Sequence, residues 1–198
     1  MVVYGDLQSG NCLKVKMLLS FLGIDHQWKH VNILNSETKT PEFLALNPNG
    51  KIPTVVLDDG RVLSESNAIL GYFAEGTSYL PKDNYQKAKV YEWLFFEQYS
   101  HEPYIAVARF IKKYQGLPES RLEEYQSLQS GGHKALQIME QQLDKSPFLV
   151  GDNMTIADIA LYAYTHVSDE GGFDLENYPK IQRWITSIHR MDGYVGMS

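Results

Sequence analysis

The 198-residue sequence predicts a mixed α/β unit followed by an all-helical unit. The first part has the element order βαβ, short helix, ββα, and beyond residue 84 apolar residues recur only at helical spacing. The predicted strands are Met1–Tyr4, Trp28–Ile33, Thr54–Leu57 and Arg61–Ser64. We assign residues 1–76 to the first domain, 77–84 to a linker and 85–198 to a helical domain.

Local signals predict each element of the first part. One face of the first helix carries apolar residues at positions i, i+3, i+4 and i+7, namely Val15, Leu18, Leu19 and Leu22. Gly23 ends this helix, and Thr40-Pro41 opens a short one. Asp59-Gly60 predicts a hairpin, and a helix follows from about Ser66 to Ala74. Strand, helix and strand at the start predict a right-handed βαβ unit with parallel strands.

The second part predicts helical segments with definite interruptions. These segments are Tyr85–Tyr114, Glu119–Leu143, Ile156–Val167 and one that opens at Tyr178-Pro179. Pro103 predicts a kink or break, and Gly131-Gly132 predicts either a bend or a close backbone approach. Thr155–Asp158 has the pattern of a capping box, and the helix that it opens is apolar nearly all round, which predicts burial.

Composition argues against several functional classes. A net charge of −6 and an isoelectric point near 5.5 disfavour nucleic-acid and anionic-membrane partners. No apolar run is long enough for a bilayer, and the start lacks a signal-peptide pattern. Cys12 is the only cysteine, which suits a cytoplasmic protein, and the six histidines lack ligand spacing, so we expect no metal.

Ile52-Pro53-Thr54 opens the third predicted strand and has two explanations. The plain one is a strand-edge proline, and the sharper one is a cis-proline that presents the main chain of Ile52 to a bound peptide. The element order around Pro53 resembles the thioredoxin fold. Asn47–Pro53, then Glu65–Ile69, then Thr155–Asp158 resemble the cytosolic glutathione transferases, and the resemblance extends from Val3 to about Met191.

The resemblance implies that glutathione binds to the first domain as a co-substrate. Ile52, beside Pro53, would pair its main chain with the cysteinyl part of glutathione. Glu65 and Ser66 would hold the γ-glutamyl end, and Lys51 or Lys39 the glycine carboxylate. Taken alone, Ser66 is also an ordinary helix cap and the lysines are ordinary surface charges.

The loop Ser9-Gly10-Asn11-Cys12 would activate the sulfur at the start of the first helix. Ser9 stands at the place of the catalytic serine in the theta-like and zeta-like classes, although it could also be a simple cap. Asn11 stands where beta-type bacterial relatives carry cysteine, and its amide could donate to the same sulfur. A buried structural role is expected for Cys12, and Tyr4 is expected to pack in the core.

The resemblance also implies a small hydrophobic electrophile, detoxification chemistry and a homodimer that uses the helices from Ser66 and Tyr85. The residues expected to contact the electrophile are Leu7, Gln8, Tyr99, Tyr104 and Arg109. Two alternatives stay open at this point. The chain could be a glutathione-binding carrier or interaction module without catalysis, or a glutathione-dependent peroxidase or disulfide reductase.

Overall fold

The computed structural model describes residues 1–197 and divides into two units. One unit contains Met1–Glu75 together with the C-terminal segment from Asp192, and the other contains Gly76–Met191. The predicted fold class, a thioredoxin-like α/β unit and an all-helical unit, is confirmed. The sequence analysis assigned the segment from Asp192 to the helical domain, but in the structure it belongs to the α/β unit. One contact that joins it to that unit is the hydrogen bond from Ser20 Oγ to Gly193 O at 2.7 Å. Ser198 lies outside the described residues.

The α/β unit is built on a four-stranded mixed sheet with the order β2-β1-β3-β4. The strands are β1 (Val2–Gly5), β2 (Gln27–His30), β3 (Thr54–Val56) and β4 (Val62–Ser64). β1 pairs with β2 in parallel, as the βαβ prediction requires, and with β3 antiparallel, and β3 pairs antiparallel with β4.

Three helices accompany this sheet, and two of them share its hydrophobic core. They are α1 (Gly10–Phe21), α2 (Pro41–Leu46) and α3 (Ser66–Ala74). Val15 and Leu19 of α1, Ile69 of α3, and Val3 and Val55 of the sheet form one buried cluster. Because α1 and α3 bury their apolar faces in one cluster, the same packing fixes the positions of both helix starts.

The second unit is helical throughout its regular elements. These are α4 (Asn84–Phe96), α5 (Glu102–Arg109), α6 (Leu122–Leu143), α7 (Ile156–Thr165) and α8 (Pro179–His189). π-helical turns at Glu97–His101 and Phe110–Tyr114 flank α5, so the break predicted at Pro103 takes the form of a π turn before the proline. Over residues 1–197, no helix has the length and apolar character needed to cross a bilayer.

Asp158 completes the predicted capping box and does more than cap α7. One carboxylate oxygen accepts from Thr155 N at 2.9 Å, and the other accepts from Leu149 N at 2.9 Å and Trp184 Nε1 at 3.0 Å. Every residue of α7 is buried, as predicted. The carboxylate therefore joins the start of the central helix to α8 and to the preceding loop.

The second strand is shorter than the sequence predicted. β2 ends at His30, whereas Trp28–Ile33 was the expected strand. Asn32 explains the difference, because its Oδ1 accepts from Leu34 N at 2.9 Å and from Asn35 N at 3.1 Å. A side chain that hydrogen-bonds to following N–H groups favours a turn over an extended ladder.

Close packing explains the glycine pair in α6, which continues unbroken through Gly131 and Gly132. A Cβ atom at Gly131 would overlap the Tyr104 ring, and one at Gly132 would overlap the Phe173 ring. Of the two predicted explanations, the close approach is therefore correct.

Gly132→Ala is expected to lower the free energy of unfolding by about 1–3 kcal/mol, because the added methyl group overpacks the core against Phe173. Denaturant unfolding measures this change. Ser130→Ala is the matched control, since Ser130 is an exposed position of the same helix and its replacement should change stability by less than about 0.5 kcal/mol. Equal stability of the two variants would contradict the close-packing explanation.

Candidate functional site

The starts of α1 and α3 meet through side chains that are 55 positions apart in the sequence. Ser66 Oγ donates to Asn11 Oδ1 at 3.0 Å. Ser66 is the first residue of α3 and is buried, and Asn11 is the second residue of α1. The structure thus joins two of the predicted site regions, which the sequence connected only through a family resemblance.

Lys14 belongs to the same cluster, although the sequence analysis gave it no role. Its side chain has an exposed fraction of 0%, and its Nζ donates to Ser66 Oγ at 3.3 Å and to Asn67 Oδ1 at 3.4 Å. The sequence did contain a weak indication that Lys14 lies near Asn11, because residues three positions apart share one face of a helix.

Glu65 has a backbone conformation that is rare for a residue with a side chain. Its φ is +66° and its ψ is 111°, and it stands immediately before α3 with no side-chain hydrogen bond that caps the helix. Non-glycine residues with positive φ carry a conformational cost and are concentrated at functional sites. The side chain of Glu65 is exposed, so its carboxylate is accessible to a ligand.

The loop before β3 is fixed by one buried side chain, Asn47. Its Nδ2 donates to Lys51 O at 2.8 Å and to Thr54 Oγ1 at 3.1 Å. The peptide bond between Ile52 and Pro53 is cis. Within residues 1–197, the main-chain N–H and C=O of Ile52 take part in neither the sheet ladders nor a turn hydrogen bond. These groups are therefore available to an added strand.

The two candidate lysines lie at this loop in different ways. Lys39 Nζ donates to Gly50 O at 3.3 Å, so its ammonium group rests against the main chain. Gly50 has a φ of +60°, and a Cβ there would come within 2.7 Å of Lys39 Nζ. Lys51 is exposed. Of the two, Lys51 has the side chain that can reach outward, and Lys39 already has a structural contact.

The loop before α1 offers a hydroxyl that does not cap the helix. Ser9 is the residue before α1, yet its side chain accepts no hydrogen bond from the backbone N–H groups of the first turn. Burial raises the pKa of the Cys12 thiol to about 12, although a backbone hydrogen bond with Asp6 and a side-chain hydrogen bond with Ser9 lower it in part. The burial that the sequence predicted for Cys12 is confirmed.

Two family models match the chain in succession. The glutathione S-transferase N-terminal domain matches residues 8–75, and the glutathione S-transferase C-terminal domain matches residues 88–191. The chain belongs to the glutathione S-transferase family.

Individual relatives agree with this family. A solved structure described as a glutathione S-transferase from Pseudomonas fluorescens [Pf-5] is 56% identical, with a TM-score of 0.97 and coverage of 99% of this chain and 98% of that one. The glutathione S-transferase-like protein gedE of Aspergillus terreus is 32% identical, over 87% of this chain and 83% of that protein. The disulfide-bond oxidoreductase YfcG of Escherichia coli is 29% identical, over 88% of this chain and 84% of that protein.

The residues predicted to contact the electrophile have diverse environments in this member of the family. Leu7 and Gln8 are half-buried in the loop before Ser9. Tyr99 is 85% exposed on a π turn, and Tyr104 packs over Gly131. The prediction for Arg109 is corrected, because this side chain is 2% exposed and is paired with Glu170 at 2.5 Å, which leaves almost no surface for a ligand.

Tyr4 also differs from the expectation of a core residue. It is half-buried, contacts the Phe43 ring edge-on at a centroid distance of 6.4 Å, and lines a cavity of about 360 Å³. Over residues 1–197, no cluster of three or more His, Cys, Asp or Glu side chains is arranged to hold a metal.

Native Cys12 is expected to react with iodoacetamide at neutral pH about a thousandfold more slowly than the denatured chain. A rise in pKa from 9.0 to about 12 reduces the thiolate population by that factor. Mass spectrometry of timed samples measures the two rates, and the denatured chain is the internal control. Comparable rates in both states would show that the thiol is accessible and ionisable.

Proposed function

We propose that this chain is a glutathione transferase that binds glutathione on the α/β unit and uses it as a thiolate against small hydrophobic electrophiles. The hydrogen bond from Ser66 Oγ to Asn11 Oδ1 at 3.0 Å carries the proposal. It connects the residues proposed for the γ-glutamyl end to the loop proposed for the sulfur. One tripeptide could then contact both.

The cysteinyl part would bind as a short antiparallel strand beside Ile52-Pro53. The unused N–H and C=O of Ile52 support this, since an extended peptide gains its affinity from such main-chain groups. The carbonyl of Lys51 already accepts a hydrogen bond from Asn47. The main chain of the next residue, Ile52, is therefore the part of the loop to which the peptide would bind.

The two ends of glutathione would be held by groups of complementary charge. The Glu65 carboxylate suits the γ-glutamyl ammonium, and the hydroxyl and N–H of Ser66 at the start of α3 suit its α-carboxylate. Lys51 would meet the glycine carboxylate, with Lys39 as a secondary contact. The exposure of Lys51 supports this ranking.

The sulfur would be activated by Ser9, with Asn11 in support, in the manner of the serine-type theta-like and zeta-like classes. Lowering a thiol pKa by ~2 units requires about 2.7 kcal/mol of preferential thiolate stabilisation. One charge-assisted hydrogen bond of ~1.5–3 kcal/mol together with the dipole of α1 supplies this. The burial of Cys12 and its pKa of about 12 favour the neighbouring hydroxyl and amide over the thiol.

The electrophile would contact Leu7 and Gln8, which immediately precede Ser9. We also propose a homodimer, because α3 and α4 carry exposed aromatic side chains, Tyr72 at 46% and Phe95 at 71%. Sedimentation equilibrium of the purified protein measures the assembly state directly.

Glutathione-dependent disulfide reduction is the second candidate, because the relative YfcG is named a disulfide-bond oxidoreductase. In this chain the reaction would use two glutathione molecules and no protein thiol, since Cys12 is buried. Both would be oxidised to glutathione disulfide while the substrate disulfide is reduced to two thiols. The proposed thiolate site serves either reaction.

Ser9→Ala is expected to lower kcat/KM for conjugation of a general aryl halide by about 100-fold. This is the usual loss of rate when one hydrogen-bond donor to an anion is removed. Asn11→Ala should cause a smaller loss. Cys12→Ala should keep most of the activity in conjugation and in disulfide reduction. Full activity in Ser9→Ala would exclude Ser9, and loss of reductase activity alone in Cys12→Ala would establish a role for the thiol.

Glutathione binding by calorimetry separates the enzyme from a carrier. Glu65→Gln is expected to weaken binding by about 1.5–3 kcal/mol, the value of a hydrogen bond to a charged group, and Ser66→Ala should weaken it as well. Asp58→Asn is a control, because Asp58 is an exposed carboxylate in a different loop of the same unit. Wild-type binding without turnover would identify a carrier, and no binding at all would refute the proposed function.

A further inference from the structure

The cavity of about 360 Å³ that Tyr4 lines has no part in the proposed reaction. It lies within the α/β unit, and its lining comes from β1, β2, α2 and the segment that joins β2 to α2. Its volume is within the range of roughly 300–1,000 Å³ that small-molecule sites occupy. None of its lining residues is among those proposed to contact glutathione. A ligand in this cavity would therefore serve a separate purpose.

The less exposed part of the lining is apolar and largely aromatic. Tyr4 and Phe43 meet edge-on, with 6.4 Å between their ring centroids and an interplanar angle of 75°. Val31 and Phe43 are buried, and Tyr4 and Leu46 are half-buried. Aromatic side chains attract a further ring by edge-on or offset contacts in addition to the apolar area that they bury. This part of the cavity suits the flat ring of an aromatic ligand.

The exposed part of the lining carries one uncompensated charge of each sign. Lys29 of β2 holds its Nζ over the Tyr4 ring, 5.1 Å from the centroid, and Glu42 belongs to the first turn of α2. Within residues 1–197, neither the Lys29 ammonium nor the Glu42 carboxylate makes an ion pair or a hydrogen bond. Glu37, the other carboxylate of the lining, is already engaged, since it accepts from Asn32 N at 2.7 Å.

We propose that this cavity binds an aromatic α-amino acid. Its ring would lie against Phe43 and Leu46, its carboxylate would face Lys29, and its ammonium group would face Glu42. An aromatic anion would be repelled by the Glu42 carboxylate, and an aromatic cation would be repelled by the Lys29 ammonium. A zwitterion complements both charges, and an α-amino acid carries both beside its ring.

The peptide site is the rival location for such a ligand. The γ-glutamyl end of glutathione is itself an α-amino acid, so the groups proposed to hold it, Glu65 and Ser66, could also hold a free one. The cavity and the peptide site share no residue, which makes the two locations distinguishable. Displacement by glutathione and direct mapping of the contacts separate them.

Three ligands with the same ring test the charge pattern. L-tryptophan is the probe, tryptamine lacks only its carboxylate, and indole-3-propionate lacks only its ammonium group. By calorimetry, the Kd of tryptamine and that of indole-3-propionate should each exceed that of tryptophan by about 2- to 5-fold, the value of an exposed ion pair. No binding of tryptophan, or equal affinity for the three ligands, would overturn the proposal.

Charge-removing variants assign each end of the ligand. Lys29→Met should weaken tryptophan by about 2- to 5-fold and leave tryptamine unchanged or tighter, because tryptamine has no carboxylate to lose. Glu42→Gln should weaken tryptophan similarly and leave indole-3-propionate unchanged or tighter. Lys134→Met removes an exposed charge from α6 and should bind all three ligands as the wild type does. Equal weakening of every ligand by Lys29→Met and by Glu42→Gln would contradict the charge contacts.

The location is measured on the unaltered protein by backbone-amide NMR during titration with tryptophan. The largest shift changes should fall on residues 29–31 and 42–46, which line the cavity or lie between lining residues. Excess glutathione should change the Kd of tryptophan by less than about 2-fold, since independent sites act additively. Shift changes confined to the loops around Ile52 and Ser66, or displacement of tryptophan by glutathione, would place the amino acid in the peptide site and overturn the proposal.

Discussion

The packing of α1 against α3 is the constraint on which the candidate site depends. Both helices bury apolar side chains in one cluster with the sheet, and this brings their N-terminal ends together. The bond between Ser66 and Asn11 and the contact from Lys14 exist only because of that packing. The site is therefore a product of the hydrophobic core, and its polar atoms are aligned by side chains such as Val15, Leu19 and Ile69.

Elements with strong local signals could be predicted from the sequence. The Thr155–Asp158 pattern gave the capping box, and the apolar stripe that includes Val15 and Leu19 gave α1. The length of β2 could not be predicted, because the bonds made by Asn32 compete with the ladder. Gly131-Gly132 allowed two explanations, since the aromatic rings that require the glycines lie on other elements.

The site was predicted less completely than the fold. Lysine is usually exposed, so the local rule for Lys14 points to the surface. Its burial depends on contacts with distant parts of the chain, among them Ser66 and Asn67 on α3, which are more than 50 positions away. Arg109 is the converse case, because it was predicted to contact a ligand and is instead buried beside Glu170. That ion pair depends on a contact in the fold that sequence spacing cannot show. The contributions of Ser9 and Asn11 remain predictions.

Cys12 illustrates how two environmental effects on one thiol compete. The start of a helix favours a thiolate, and hydrogen bonds from Asp6 and Ser9 act in the same direction. Burial acts against ionisation and is the largest effect, so the pKa rises to about 12. Burial therefore outweighs the favourable helix start at this thiol.

The buried amide of Asn47 has a consequence for the kinetics of ligand capture. Its bonds to Lys51 and Thr54 hold the chain around Ile52 before any peptide arrives. A binding edge that is already ordered loses little conformational entropy upon association, so more of the interaction energy contributes to affinity. Encounter rather than loop rearrangement would then limit how fast a peptide is captured, and the same rigidity would disfavour peptides whose backbone cannot extend along that edge.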